Sequence, residues 1–317
     1  MKLIIQIPCL NEEETLPLVF EKMPKKIKGI DVVETLIIDD GSSDNTVEIA
    51  KKLGVDHIVY HAKNRGLAKS FADGVDASLK LGADIIVNTD GDNQYPQESI
   101  PELVQPILEG KAEIVVADRQ THKIKHFSSA KKFLQRFGSK VVNRAAGTEI
   151  PDAASGFRAY SKKALLELNI ITDFSYCMET IIHAGRKRIP ITSVPVTTNP
   201  KTRESRLFKS THQHVLRSAS AIIRSYTMYK PFKIFILAGI FALIIGLIPF
   251  ARFAYLFFIS GDPVSGHIQS LLLGTVFVII SVLLFVLGVI ADLISINRKL
   301  LEDALEKLKK LELDQDR

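Results

Sequence analysis

Asp84-Ile85-Ile86-Val87-Asn88-Thr89-Asp90-Gly91-Asp92 is the stretch on which the fold turns. Its apolar run is too short for a helix and stops at an Asp-Gly-Asp turn, so it reads as a buried strand with acids at its carboxyl end. The same pattern recurs on either side. Leu3–Ile7 is ended by Pro8, and Val32–Ile38 by Asp39-Asp40-Gly41. His57–Tyr60 and Glu113–Ala117 are two more short runs. Helical patterns fill the gaps near 14–26, 44–53, 67–81 and 99–108, with Ser43 or Asp44 as the N-cap of the second. Strand and helix in alternation predict an α/β fold whose sheet is mostly parallel and covered on both faces. Beyond about Gly110 the pattern loosens.

The chain has 317 residues, room for one large domain or two. Its 24% charged and 46% hydrophobic residues are ordinary for a globular protein and exclude a disordered, collagenous or disulfide-built one. The two cysteines, Cys9 and Cys177, offer no zinc spacing and fit a reducing compartment. The net charge of +6 is unevenly spread. Residues 234–296 carry only Arg252, Asp262 and Asp292. Two uncharged runs, Ile234–Ala251 and Leu271–Ala291, approach the roughly 20 residues of a bilayer-spanning helix. A pair of buried core helices would show charge on some face over such lengths. Residues 232–296 are therefore expected to form a transmembrane hairpin, with helices over about 233–258 and 269–295.

Arg217, Arg224, Lys230 and Lys233 precede the hairpin, Arg298 and Lys299 follow it, and its connector has neither Lys nor Arg. That bias puts both termini in the cytoplasm. The first residues lack the pattern of a cleaved signal. Four regions are expected: a cytoplasmic catalytic domain over 1–206, amphipathic juxtamembrane helices over 207–231, the hairpin, and a charged tail over 297–317.

In an open parallel sheet, ligands bind beyond the carboxyl ends of the strands. Asn11-Glu12, Asp39-Asp40 and Asp90-Gly91-Asp92 all fall there. So much negative charge on one edge calls for a cation or donors between the groups. Hard carboxylates with open positions suit Mg²⁺ or Mn²⁺ shared with a diphosphate. The chain has no G-x-G-x-x-G after its first strand and no P-loop, since Gly66-Leu67-Ala68-Lys69-Ser70 lacks the spacing. A dinucleotide enzyme and a P-loop NTPase are thereby disfavoured, and no nucleic-acid partner is expected.

Ile7-Pro8-Cys9-Leu10-Asn11-Glu12-Glu13, Ile38-Asp39-Asp40-Gly41-Ser42-Ser43-Asp44 and Asp90-Gly91-Asp92-Asn93-Gln94-Tyr95-Pro96 resemble glycosyltransferase family 2. The whole chain is similar to its polyprenyl-phosphate branch, the group that includes the dolichol-phosphate mannose synthases. The resemblance implies a GT-A type, Rossmann-like domain and an inverting transfer of a hexose from a nucleotide-diphosphate sugar. It places Pro8, Asn11, Glu12, Asp39, Asp40 and Asp90 on the donor nucleotide. It assigns Asp90, Asp92 and Gln94 to the metal, and Asp152-Ala153-Ala154-Ser155-Gly156-Phe157-Arg158 to the acceptor side. Glu179 lies where the family often has a glutamate. A Gly-x-Ser-Lys stretch that closes over the diphosphate in many members is here Thr202-Arg203-Glu204-Ser205-Arg206, so Arg203 and Arg206 are expected on the phosphates.

A phosphate monoester, with a second pKa near about 6, needs cations beside it rather than a general base. Arg119, His122, Lys123, Lys125, His126, Lys131, Lys132, Arg136 and Lys140 supply positive charge after the fifth run. Arg119, Lys131, Ser155 and Arg158 are expected on the acceptor phosphate, and Asp92, Arg119 and Arg158 form the expected catalytic set. The expected partners are a UDP- or GDP-sugar, polyprenyl phosphate and a membrane; a second copy of the chain stays open. The competing functions are a family member acting on a hydroxyl acceptor such as a glycolipid, and a silent nucleotide-sugar-binding scaffold. The processive synthases of the family carry a Gln-x-x-Arg-Trp motif, and this chain has no Trp.

Overall fold

A computed structural model describes residues 1–123, 129–168, 176–200, 231–260 and 268–315. Lys125, His126, Arg203, Arg206, the juxtamembrane stretch 207–230 and the connector 261–267 lie outside the described residues, as does the side chain of Lys131. The chain divides into two compact units, Met1–Ile222 with Leu305–Arg317, and Ile223–Ala304.

The first unit is built on one seven-stranded sheet. Its strands are β1 (Lys2–Cys9), β2 (Val32–Asp39), β3 (His57–Tyr60), β4 (Ile85–Asn88), β5 (Ile114–Asp118), β6 (Arg158–Ser161) and β7 (Ile191–Pro195). They lie in the order β3-β2-β1-β4-β6-β5-β7. All pairings are parallel except those of β6, which runs antiparallel to both β4 and β5. The expected mostly parallel sheet is what forms. β6 and β7 escaped the sequence reading because four or five residues without alternation carry no periodic signal.

Residues 3–9 of β1 are all buried, as a central strand covered on both faces requires. Leu3, Ile5 and Ile7 share one core cluster with residues of α1 (Leu16–Glu21) and α4 (Ile100–Leu108). The other face lies under α3 (Leu67–Lys80), where a Cβ at Gly74 would sit 2.7 Å from Ile38 and 2.8 Å from Gln6 Oε1. α2 (Thr46–Lys52) lies on the same face as α1, with Ala50 in the shared core, and its first N–H is held by the Asp44 carboxylate at 3.0 Å. After β5 the chain forms α5 (Ser129–Ala146), then β6, α6 (Lys162–Glu167) and α7 (Tyr176–Lys187).

The second unit holds α8 (Pro231–Tyr255), extended by a π-helical turn over Leu256–Ser260, and the first part of α9 (Ile268–Gln315). Both helices are long and apolar enough to cross a membrane, with mean hydropathy 2.8 and 2.9. Only 17% of each apolar window is buried, whereas a core helix of a soluble domain would be mostly covered. The pair meets through small residues: a Cβ on Gly246 would come within 3.1 Å of the Gly274 carbonyl, and Ser281 Oγ donates to the Gly239 carbonyl at 2.8 Å.

The last turns of α9 belong to the first unit. Glu306 pairs with Lys187 at 3.3 Å, Glu312 with Lys80 at 2.9 Å, and Lys309 Nζ donates to the Leu168 carbonyl at 3.4 Å. The charged tail is thus packed on α3 and α7.

Candidate active site

The parallel register brings the acidic clusters together. Cys9 of β1 lies beside Asp39 of β2, and Asp39 beside Tyr60 of β3. On the other side Gln6 of β1 lies beside Asn88 of β4. The carboxyl ends of four adjacent strands therefore share one edge. A Cβ on Gly91 would stand 3.0 Å from Cys9 Sγ and 3.2 Å from Glu12 Cγ, so the loop after β4 touches the loop after β1. Burial pushes the Cys9 thiol well above its ordinary range, and Glu12, Asp39, Asp90 and Asp44 push it further.

The first loop is held by reciprocal bonds. Asn11 takes the left-handed conformation, φ +56, which Asn tolerates. Its N–H donates to Ser42 Oγ at 2.9 Å and its Oδ1 accepts from the Ser43 N–H at 2.7 Å. The Glu12 N–H donates to Thr46 Oγ1 at 2.8 Å, and its buried carboxylate accepts from Thr15 Oγ1 at 2.7 Å. Pro8 lies within β1, opposite Ile38. Asp39, 5% exposed, accepts from the Ser42 N–H at 3.2 Å.

Asp40 is also 5% exposed. Its carboxylate accepts from the Arg65 and Gly66 N–H groups at 2.8 and 2.9 Å, and meets His61 Nδ1 at 2.7 Å. The other ring nitrogen of His61 faces Asp73 at 3.1 Å. His61 therefore orients Asp40, a role passed over in the sequence. It directly follows β3, so the strand-end rule reached it.

Asp90 stands over Gly156, where a Cβ would be 3.4 Å from both carboxylate oxygens and 2.9 Å from Tyr176 Oη. Beneath lies a buried polar chain: Gln6 Nε2 donates to Asn88 Oδ1 at 2.9 Å, and Asn88 Nδ2 donates to Tyr176 Oη at 2.8 Å and to the Gly156 carbonyl at 3.0 Å. Tyr176 stacks on Phe71 with centroids 4.0 Å apart. Asp92 accepts from the Gln94 N–H at 3.1 Å and from Gln94 Nε2 at 2.8 Å. The loop is clamped by Asn199, whose N–H donates to the Gln94 carbonyl at 3.0 Å and whose Nδ2 donates to the Asn93 carbonyl at 3.0 Å. Asn199 carried no signal in the sequence, because its partner lies about a hundred residues upstream.

Among the described residues no three His, Cys, Asp or Glu side chains are placed to hold a metal ion together. The Asp90 and Asp92 carboxylates and the Gln94 amide carry hard oxygen donors. Such a set suits a divalent cation that completes its shell with substrate phosphate.

The acceptor-side residues separate by burial. Arg119 holds Asp152 in a fork, Nε to Oδ2 at 2.6 Å and Nη2 to Oδ1 at 2.9 Å, with its side chain 15% exposed. Burial pulls the Arg119 guanidinium down, but Asp152 and Tyr95 outweigh it and hold it above its ordinary range. Burial likewise works to raise Asp152, and Arg119 overrides it, holding that carboxyl below the usual range. Arg158 is 0% exposed. Its Nε donates to the Ser155 carbonyl at 2.7 Å, Nη1 to the Cys177 carbonyl and Thr180 Oγ1 at 2.8 Å, and Nη2 to the Ala153 carbonyl at 2.9 Å. Arg158, expected on the acceptor phosphate and in the catalytic set, gives these donors instead to the loop of Ala153 and Ser155 and to the first turns of α7. Ser155 is fully buried, and its Oγ meets no hydrogen-bond partner among the described residues. Glu179 is buried in the first turn of α7.

The profile of the family described as Glycosyl transferase family 2 matches residues 4–168, more than half of the chain. The chain belongs to glycosyl transferase family 2. Among curated proteins this family 2 chain is similar to a UDP-N-acetylglucosamine–dolichyl-phosphate N-acetylglucosaminyltransferase of Methanococcus voltae, 28% identical over 61% of this chain and 83% of that protein. It is also similar to a dolichol-phosphate mannosyltransferase of Pyrococcus furiosus, 30% identical over 68% of this chain and 62% of that protein. Among solved structures it resembles glucosyl-3-phosphoglycerate synthase of Mycobacterium tuberculosis, in complex with Mn²⁺, UDP and glucosyl-3-phosphoglycerate. That likeness has TM-score 0.53 and 20% identity, and covers 71% of this chain and 78% of the other. It bears out the GT-A type architecture for this family 2 member.

Proposed function

We propose that the chain transfers a hexose, with inversion, from a UDP- or GDP-sugar to polyprenyl phosphate at the cytoplasmic face of a membrane. One observation carries this reading: carboxylates from adjacent parallel-strand ends meet on one edge, in a chain that also holds two helices of bilayer length. The dolichyl-phosphate transferases among its relatives support the choice of donor and acceptor.

Asp39 and Asp40 hold base and ribose, with His61 and the Arg65 and Gly66 N–H groups fixing Asp40. Asn11, Glu12 and Pro8 shape the nucleotide wall. Asp90, Asp92 and Gln94 would hold Mg²⁺ or Mn²⁺. When bound there, the cation supplies neutralisation of the charge that gathers on the departing diphosphate. Arg203 and Arg206 follow Asn199 in sequence and add cations to the same diphosphate. The acceptor phosphate is already ionised at neutral pH, so no side chain removes a proton from it. It meets the Nη1 edge of Arg119, the edge not engaged by Asp152, and Lys131, by its place in the sequence, adds a second cation; Ser155, fully buried, supports the loop behind them.

The test uses the full chain in lipid nanodiscs with labelled UDP- and GDP-sugars. Polyprenyl phosphate is expected to gain the sugar and free polyprenol to gain none. Asp92→Ala is expected to lower kcat by roughly 10²- to 10³-fold, the scale of one lost charge-stabilising contact. EDTA should abolish turnover and Mg²⁺ or Mn²⁺ restore it. Transfer to the free alcohol, or full activity in Asp92→Ala, would sink the proposal.

A further inference from the structure

Beyond its apolar run, α9 is amphipathic with its faces reversed. Glu302 is buried, and Glu306, Lys309 and Leu313 are half-buried at helical spacing from it. Glu306 reaches Lys187, and Lys309 the Leu168 carbonyl. The opposite face is exposed, and it is apolar. Leu301, Leu308 and Leu311 are 70%, 61% and 58% exposed, and Ala304 is exposed between them. These positions alternate steps of three and four residues, the spacing that keeps a seam on one side of a helix. Leu300 and Leu305 border the seam and are exposed too. A row of bare leucines in water forgoes the free energy that burial would give it.

Lipid does not reach this row. The uncharged run Leu271–Ala291 already matches the thickness of a hydrocarbon core. Leu301 to Leu311 follow it in the same helix, and at about 1.5 Å per residue they stand about 15 to 30 Å further along. A second copy does reach it. Two copies in one bilayer share one orientation, so their α9 helices run parallel and bring the same residues to the same height. The flanks of the seam fit such a pair. In a parallel coiled coil, the residue before one seam position meets the residue after the next seam position of the other helix. Leu300 then faces Leu305 of the second copy, an apolar match, and Lys307 faces its Glu312, a match of opposite charge. Lys307 is exposed, and the Glu312 side chain is 58% exposed beside Lys80. We infer that the chain pairs with a second copy through a short parallel coiled coil over residues 300–312, with Leu301, Ala304, Leu308 and Leu311 as its seam. The spans hold the two helices side by side, which offsets the shortness of the coil. The inference rests on the reading that α8 and α9 cross a bilayer, and it is independent of the transfer reaction.

Membranes carrying the full-length chain are first washed with alkaline carbonate, which tests the spans alone. Leu301→Cys and Leu308→Cys are then oxidised in the washed membranes with copper phenanthroline. Each is expected to give a disulfide-linked dimer, while Asp303→Cys and Lys310→Cys, exposed but off the seam, give none. The two native thiols are buried. In detergent, light scattering should show a dimer for the wild type and its loss in the Leu301→Glu/Leu308→Glu double variant, with the far-ultraviolet circular dichroism unchanged. Lys307→Glu is expected to weaken the dimer, and Glu312→Lys added to it to restore the pairing. Release of the chain by the wash would sink the spanning reading and this inference with it. Retention without a seam-specific cross-link, or a dimer that survives both Glu substitutions, overturns the inference alone. So does a monomeric wild type; if its Tm then falls in Leu308→Glu, the row belongs under the chain's own residues 207–230.

Discussion

Arg158 gives its guanidinium to the carbonyls of Ala153, Ser155 and Cys177 and to the Thr180 hydroxyl, all inside the fold. Removing it leaves those acceptors buried and unmet. Arg158→Met is therefore expected to destabilise the first unit by about 3–5 kcal/mol, with the acceptor KM of the remaining folded protein unchanged. Thermal unfolding and steady-state kinetics on the same preparation separate this from a phosphate-binding role, which would raise KM at constant Tm. Asp152 gives a pH prediction. Arg119 holds its carboxyl below the usual range, so the stabilisation is present above the unfolded carboxylate pKa, about 3.9, and is lost as pH falls through the lower folded value. Asp152→Asn should cost about 3 kcal/mol at pH 7. Melts from pH 8 to pH 3 should show the gap to wild type constant down to about pH 4 and narrowing below it.

At the scale of elements, the hairpin of α8 and α9 is closed by the absence of side chains at Gly246 and Gly274. Gly246→Leu should pry the two helices apart and lower the Tm in detergent, while Leu247→Ile, at an exposed neighbouring position, should leave it unchanged. The hairpin was legible because an uncharged run needs no long-range information to be recognised. The acids were legible for a similar reason: Asp39, Asp40, Asp90 and Asp92 each follow a short apolar run, and a parallel sheet does the gathering. His61 was equally within reach, since it follows β3. β6 was not, because four buried residues enter the sheet between β4 and β5 by pairing with strands far away in sequence. Asn199 and the packing of Glu306, Lys309 and Glu312 were hidden likewise, for each is defined by its partner rather than by its neighbours in sequence. The burial of Arg158 was not legible, because residue type announces charge but says nothing of burial.

For the whole molecule, the proposed topology places both ends of the chain on the side where nucleotide sugars are available. A fluorescent-protein fusion after Arg317 should be bright in cells, and an alkaline phosphatase fused there should be silent. The same phosphatase inserted in the connector at Ser265 should be active, because that enzyme matures only outside the reducing compartment. The reverse pattern would invert the orientation. A further consequence lies in the two thiols. Cys9 and Cys177 are both buried, and burial holds each in its protonated form. Alkylating agents and peroxide attack the thiolate, so neither finds a target in the folded chain. Any cysteine placed on the surface becomes the sole reactive one, and a dye or spin label can be attached there without first stripping the native sulfur from beneath the catalytic edge.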